Sequence, residues 1–421
     1  MSALYFSTGS YQKKSMARKG YEHLLKKMDG SPRGDLYVGK IGFATELYME
    51  KLPTLIKRVS EIADRDFEIR FAEVENNLSP QAFKIAQRLK KRETPYTLLS
   101  TDDQQITIRA CVFGPSRPTL RFLNMDADSV WFVYKGSGFC DTTLGRIFFE
   151  SGDFVYIPAR ICYKFSAIGN KETDKVIMIG MEGASGFQEP QPRVFDNNDI
   201  PYSYEDIRLP DPCDMRDLDM YDCAELTSKV EDFYVFVKRN RRWSRVTYPF
   251  TPFQCVAWKG TVYPFAVHES DLHFSYTTDI HPDPSNFAMF AAKDFSAVIS
   301  VLKGRFVHSI PYNHLNTLEE FLFYGKEYEA RKGSVVGEGG DATLHPQGVW
   351  HGPQPKALRE WKRPASPKDI PFVDDLAIMF EASKPLLLCE DGADIAVSGY
   401  ERSWYEDWEE YQELQEEHQE L

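Results

Sequence analysis

The run GDATLHPQGVWHGP, residues 340–353, holds the most specific spacing in the chain: Gly340, five residues, Pro346, one residue, Gly348, two residues, His351. Proline and glycine in that arrangement make a tight turn between two strands, and the residue three places after the glycine rides on the second strand. The spacing therefore predicts a strand, a turn and a strand with His351 aimed inward. A turn followed by an ordinary core histidine is the plainer alternative. Against it stands the histidine distribution. Seven of the nine, at 268, 273, 281, 308, 314, 345 and 351, fall within 84 consecutive residues, and imidazole is the commonest protein metal ligand.

The pattern is the second signature of the cupin β-barrel, matched at every fixed position through the histidine. Upstream, NHLNTLEEF at 313–321 sets His314 and Glu320 six residues apart. An even offset keeps two strand residues on one face, yet six residues of straight strand span about 20 Å. Two ligands of one ion must be folded back on each other, and Asn316 and Thr317 supply a place to bend. His314, Glu320 and His351 then offer two imidazoles and a carboxylate, the facial set that holds Fe(II) and leaves positions for substrate and dioxygen. An earlier run, GDFVYIPARICY at 152–163, repeats Gly152, five residues and Pro158, but has Arg160 for the glycine and Tyr163 for the histidine. It reads as a second barrel without a metal.

Short β-rich runs such as ITIRACVF, SVWFVYKG and KVIMIGM begin at about residue 105, and a second block of them extends from about Val235 to Leu388. The expected fold is mainly β: a bicupin of two double-stranded β-helix (jelly-roll) barrels, with an N-terminal α/β extension and a short C-terminal helix. The divisions are an extension over 1–100, a metal-free barrel over 101–189, a long connection rich in Pro, Asp and Tyr over 190–234, a catalytic barrel over 235–390 and an acidic tail over 391–421. Ser79-Pro80 reads as the cap and first position of a helix near 80–91.

Composition excludes several classes. With 421 residues, 42% of them apolar, the chain can bury large cores, and no stretch nears the roughly 18 apolar residues of a membrane span. No apolar leader opens it; the basic, serine-containing first 21 residues faintly suggest an organelle transit peptide. Seven scattered cysteines without a CxxC pair imply a reducing compartment and no zinc knuckle. Residues 406–420 carry eight acidic side chains and no Lys or Arg, so most of the net charge of -13 sits there and the body is only mildly acidic. Nucleic acid is not the expected partner. Trp404, Trp408, Tyr411 and Leu414 have helix-like spacing, so this segment can dock.

HPDPSNF at 281–287, NHLNTLEEF, YEARKG at 328–333, LHPQGVWHGP at 344–353 and LAIMFEASKPL at 376–386 together make the chain resemble the homogentisate 1,2-dioxygenases, in particular the shorter microbial type. Weaker likeness covers GDLYVGKIGFATELYMEKLPT near the N-terminus and the metal-free barrel. The resemblance implies Fe(II) held by His314, Glu320 and His351, with His281 as the acid-base residue that handles a phenolic proton. It implies that His345 is a pocket histidine meeting substrate or oxygen, with Asn316 beside it. Tyr328 matches a tyrosine that helps bind the acetate arm. Longer members carry an arginine just before that tyrosine; here FLFYGKEY is one residue shorter and offers Lys326. The implied reaction is O2-dependent ring cleavage of homogentisate to maleylacetoacetate, in tyrosine and phenylalanine breakdown in the cytoplasm.

Two other readings compete. A related ring-cleaving dioxygenase of another hydroquinone or dihydroxy-aromatic acid is favoured by Lys326; a non-catalytic bicupin is disfavoured by the complete ligand set. Oxalate-type bicupins present an HxH pair, and His314 has no histidine two residues away. The expected partners are a small aromatic substrate and O2, with no nucleic acid and no membrane, and a homo-oligomer is the expected assembly.

Overall fold

A computed structural model describes residues 6–9, 37–42, 44–49, 51–74, 76–171, 173–188, 202–212, 232–272, 288–306, 312–331, 334–362, 364–409 and 412. The first β-rich block forms a complete jelly roll. Its eight strands split into four and four: Asp153–Ile157, Asp128–Lys135, Val176–Gly183 and Ile106–Phe113 side by side in one sheet, Gly145–Phe149, Gly138–Thr142, Cys162–Ala167 and Phe122–Asn124 in the other. The inner faces meet through aromatic rings, Trp131 against Phe165 at 5.9 Å and Phe113 stacked on Phe165 at 6.0 Å.

The second block repeats that strand order. Ala342–His345, Glu319–Tyr324, Phe372–Ala382, Ala297–Phe306 and Ala288–Ala292 lie in sequence across its main sheet, as 153–157, 128–135, 176–183, 106–113 and 96–100 do in the first. Facing this sheet, the described residues form a two-stranded ribbon, His314–Leu315 with Trp350–His351. The mainly β bicupin expected from the sequence is the observed fold. Among the described residues, no helix is long and apolar enough to cross a membrane.

Period-two alternation sorts the strand Glu319–Tyr324 between two environments. Phe321 and Phe323 face the first barrel, where the Phe323 ring lies 6.2 Å from Phe132 and 5.4 Å from Tyr134. Glu320, Leu322 and Tyr324 face the interior of their own barrel, Leu322 and Tyr324 in a cluster with Leu302, Tyr328, Ala377 and Met379. One strand thus joins the barrels and builds the site.

Each barrel lends edge strands to the other. Gln81–Phe83 pairs with Ala342–His345 of the second barrel, and Phe265–His268 with Asp153–Ile157 of the first. Leu387–Leu388 extends the first barrel's sheet at 96–100, and Phe187–Gln188 extends the second's at 288–292. This exchange corrects the expected helix near 80–91. Residues 81–83 are a strand, and only Ile85–Arg88 makes a helical turn. Ala82 and Phe83 are buried in a sheet whose partner strand lies some 260 residues away, and tertiary pairing overrides local propensity. The 1–100 and 235–390 divisions are crossed in the same way: 81–83 belongs to the second barrel's sheet, and Phe233–Arg239 and Arg242–Tyr248 extend the first barrel's.

Candidate metal centre

The turn expected between Pro346 and Gly348 is present, with Gly348 at φ 76 in the left-handed region. It sets Trp350–His351 antiparallel to His314–Leu315, so that His314 and His351 are paired residues of one ribbon with ring centroids 4.4 Å apart. Residues 316–318 then bend the chain before the strand Glu319–Tyr324 begins, and this fold-back returns Glu320 to His314. One ligand atom from each of His314, Glu320 and His351 lies within 4.8 Å of the others. The equivalent turn in the first barrel keeps its shape, Arg160 taking φ 71 where a glycine would be unstrained, but it delivers Tyr163 to a buried position against Phe165.

The donors are oriented for a cation. The Nδ1 of His314 lies 3.1 Å from the Tyr312 carbonyl and that of His351 lies 3.0 Å from the Val349 carbonyl. A carbonyl only accepts, so both Nδ1 atoms carry hydrogen and both Nε2 atoms are left as the ligating nitrogens. Those atoms face Glu320 Oε2, from 3.8 Å for His314 and 3.4 Å for His351. His351 Nε2 is buried and has no hydrogen-bond partner among the described residues. Lone pairs facing a carboxylate in a buried site repel unless a proton or a metal cation lies between them, and the donor set fits a 2-His-1-carboxylate ion. The Glu320 carboxylate, to which a protonated ring would donate from Nε2, raises His314 above the usual imidazole range, against the effect of burial.

Behind the ligands lies a buried network. His345 is fully buried, its Nδ1 3.0 Å from Glu320 Oε1 and its Nε2 3.0 Å from the Tyr400 hydroxyl and 3.3 Å from Arg331 Nη2. Guanidinium only donates, so His345 Nε2 accepts and Nδ1–H donates to Glu320. Burial, followed by the charge of Arg331, pushes His345 down to about 3, so it stays neutral. Arg331 also donates to the Tyr324 hydroxyl at 2.9 Å and the Gly352 carbonyl at 2.6 Å. Burial would push Glu320 up, but the three imidazoles around it, His314, His345 and His351, outweigh that and hold the carboxyl well below the usual range.

The other expected site residues are spread around the ligand set and beyond it. His345 holds Glu320 Oε1 through its Nδ1–H. Asn316 donates to Glu320 Oε2 at 2.7 Å and so helps position that carboxylate. Lys326 sits on the surface, paired with Asp374 at 2.7 Å and beyond the end of the strand that carries Glu320. Tyr328 is in the barrel interior, stacked on Tyr324 at 5.3 Å. His281 lies outside the described residues. His268 is a satisfied structural histidine whose ring accepts from the Ser270 amide.

Three residues escaped the sequence reading. Tyr400 and Asp407 come from the C-terminal segment, where only the apolar residues such as Trp404 were expected to dock. Tyr400 is fully buried, and the Trp404 indole donates to the Gly352 carbonyl at 3.3 Å. Asp407 anchors the helical stretch 403–409 by accepting from the Lys356 amide and Arg359, both at 2.7 Å. The third is Glu381, the cross-strand partner of Glu320. Burial, then the neighbouring Glu320 charge, raises it to about 8. Alternation in LAIMFEA could have found it, since it falls on the interior face with Ala377 and Met379.

Residues 274–415 match the family model described as Homogentisate 1,2-dioxygenase C-terminal. The C-terminal barrel is thus similar to the C-terminal region of the homogentisate 1,2-dioxygenases. A Bradyrhizobium diazoefficiens homogentisate 1,2-dioxygenase is 26% identical over 280 residues, 63% of this chain and 57% of that enzyme. The chain therefore matches less than two thirds of that dioxygenase's length. A Saccharolobus solfataricus protein whose name proposes a dioxygenase is 28% identical over 292 residues, 68% of this chain and 70% of that one. Among solved structures, a cupin 2 conserved barrel domain protein from Leptotrichia buccalis is similar at 9% identity and TM-score 0.33, over 74% of this chain and 98% of that one.

Proposed function

We propose that the chain is a non-heme Fe(II) dioxygenase that opens the ring of homogentisate with O2 to give maleylacetoacetate, a step of tyrosine and phenylalanine breakdown in the cytoplasm. The observation that carries this reading is the convergence of His314, Glu320 and His351 within 4.8 Å in a barrel similar to the C-terminal region of the homogentisate 1,2-dioxygenases. Those three residues would hold Fe(II), which when bound supplies Lewis acidity toward a phenolic oxygen and an electron path to dioxygen.

The chain supplies the rest. His345, kept neutral and aimed by Arg331 and Tyr400, holds Glu320 charged and in place, and Asn316 fixes its second oxygen. Leu302, Leu322 and Met379 make the inner wall apolar, which excludes water from the ring. A phenol of pKa about 10 becomes easier to deprotonate beside a cation, within reach of a histidine working near neutrality. His281 is the residue proposed to take that proton.

The test is oxygen uptake by iron-loaded protein with homogentisate, gentisate and unsubstituted hydroquinone, together with metal analysis. Homogentisate turnover with one iron per chain is expected; a protein that binds no iron overturns the reading. A second reading, cleavage of a hydroquinone without the acetate arm, is favoured by the position of Lys326, whose ammonium is engaged with Asp374 on the surface. Faster turnover of gentisate or hydroquinone than of homogentisate would select it.

A further inference from the structure

The first barrel has lost its metal ligands, and register shows what replaced them. In the catalytic barrel Glu320 pairs with Glu381, and in the first barrel the equivalent pair is Ser129 with Glu182. Tyr163 stands for His351, and Arg109, opposite Gly180, occupies the register of Ser300, opposite Met379. Where one barrel gathers imidazoles and carboxylates, the other gathers cations. Glu182 Oε1 accepts from Arg109 at 2.9 Å and Oε2 from Lys238 at 3.1 Å, with all three side chains buried.

Two buried cations share one carboxylate, an excess of one positive charge, and buried charge is costly unless balanced. The Arg109 Nε–H is also buried without a hydrogen-bond partner among the described residues. Arg109 and Lys238 line a cavity of about 180 Å³ walled by Phe67 and Trp243. At ~30 Å³ per water that is room for a small organic molecule. The cavity mouth carries Arg241 and Gln104, with Glu68 exposed beside them. Arg241 and Gln104 are two of the five non-glycine residues with positive φ among the described residues, at 64° and 57°. Such backbone is costly and persists where surrounding structure holds it; Asp126 does so at Arg241, accepting from its amide at 2.9 Å.

The geometry points to a second ligand site in the first barrel that binds a small organic carboxylate, its anionic group between Arg109 and Lys238 and its apolar body against Phe67 and Trp243. The anion balances the buried charge and gives the Arg109 Nε–H an acceptor. The site is independent of the metal centre, so it stands whether or not the proposed reaction is the right one.

Binding of phenylacetate, acetate and inorganic phosphate to the full chain, measured by calorimetry with Trp243 fluorescence as a local reporter, tests the assignment. One phenylacetate per chain is expected, held more tightly than acetate or phosphate, with a fluorescence change that Trp243→Phe removes. A charge-assisted contact is at stake, so Lys238→Met, which leaves Glu182 paired with Arg109, should weaken binding roughly 10-fold or more. Arg241→Gly, which keeps the left-handed turn without strain, should weaken it less, and His351→Ala should leave it unchanged. Absence of saturable binding by all three anions overturns the site. So does phosphate binding more tightly than either carboxylate, or binding that survives both Lys238→Met and Arg241→Gly and is lost in His351→Ala.

Discussion

The His345 imidazole donates from Nδ1 to Glu320 Oε1 across 3.0 Å, so the histidine adjoining the signature turn holds one oxygen of the carboxylate proposed as a metal ligand. Its other nitrogen is occupied by Tyr400 and Arg331, which fixes the tautomer that can donate to the carboxylate. Loss of such outer partners typically costs about 10–100-fold in metal affinity. His345→Ala is expected to weaken Fe(II) binding by that order in chelator competition, and His345→Asn, whose amide can donate to Glu320, should recover part of it. A raised KM with unchanged metal affinity would instead mean that His345 meets substrate.

Direct ligation predicts a sharper loss. His351→Ala should abolish both bound iron and oxygen uptake, because it removes the buried Nε2 that has no hydrogen-bond partner among the described residues. His281→Ala should keep the iron and turn over slowly, as expected for a residue that moves a proton; metal analysis beside oxygen-electrode rates separates the two roles.

Glu381 gives the iron-free protein a pH dependence with a definite sign. Its folded-state carboxyl titrates at about 8, above the ordinary glutamate value of 4.5. The folded chain therefore holds a proton that the unfolded chain has released between those values. Its contribution to stability is complete below about pH 4.5 and is lost as pH rises through 8. Denaturant unfolding of iron-free protein should show stability falling over that window, and Glu381→Gln, permanently neutral, should flatten the fall. An unchanged slope in the variant would refute the assignment.

The C-terminal segment should matter for the metal centre although it supplies no ligand. Tyr400→Phe keeps the packing and removes one hydrogen bond, a loss of about 1 kcal/mol, whereas Tyr400→Ala also opens a cavity and should cost roughly 3–5 kcal/mol. Thermal unfolding measures both. Chelator competition should show weaker Fe(II) binding in Tyr400→Phe if the hydroxyl helps hold His345.

Much of this molecule follows from sequence alone. The spacing from Gly340 to His351 specifies a turn and the strand that carries the histidine, because a tight turn has few solutions and strand side chains alternate with period two. The same reasoning made Glu320 and His314 need a bend between them, and marked the first barrel as metal-free through Tyr163. Local rules could reach these features because each depends on residues close together in the chain. What local rules could not reach is whatever depends on partners far along it. Gln81–Phe83 is a strand only because Ala342–His345 offers an edge, and Tyr400 reaches His345 only because the terminal segment folds back over the second barrel. That His345 and Asn316 both donate to Glu320 is likewise a tertiary feature. The sequence by itself determined which atoms could hold a metal; tertiary packing decided which buried donors keep Glu320 ionised and aimed, since hydrogen bonds and desolvation act over a few ångströms of space whatever the separation in sequence.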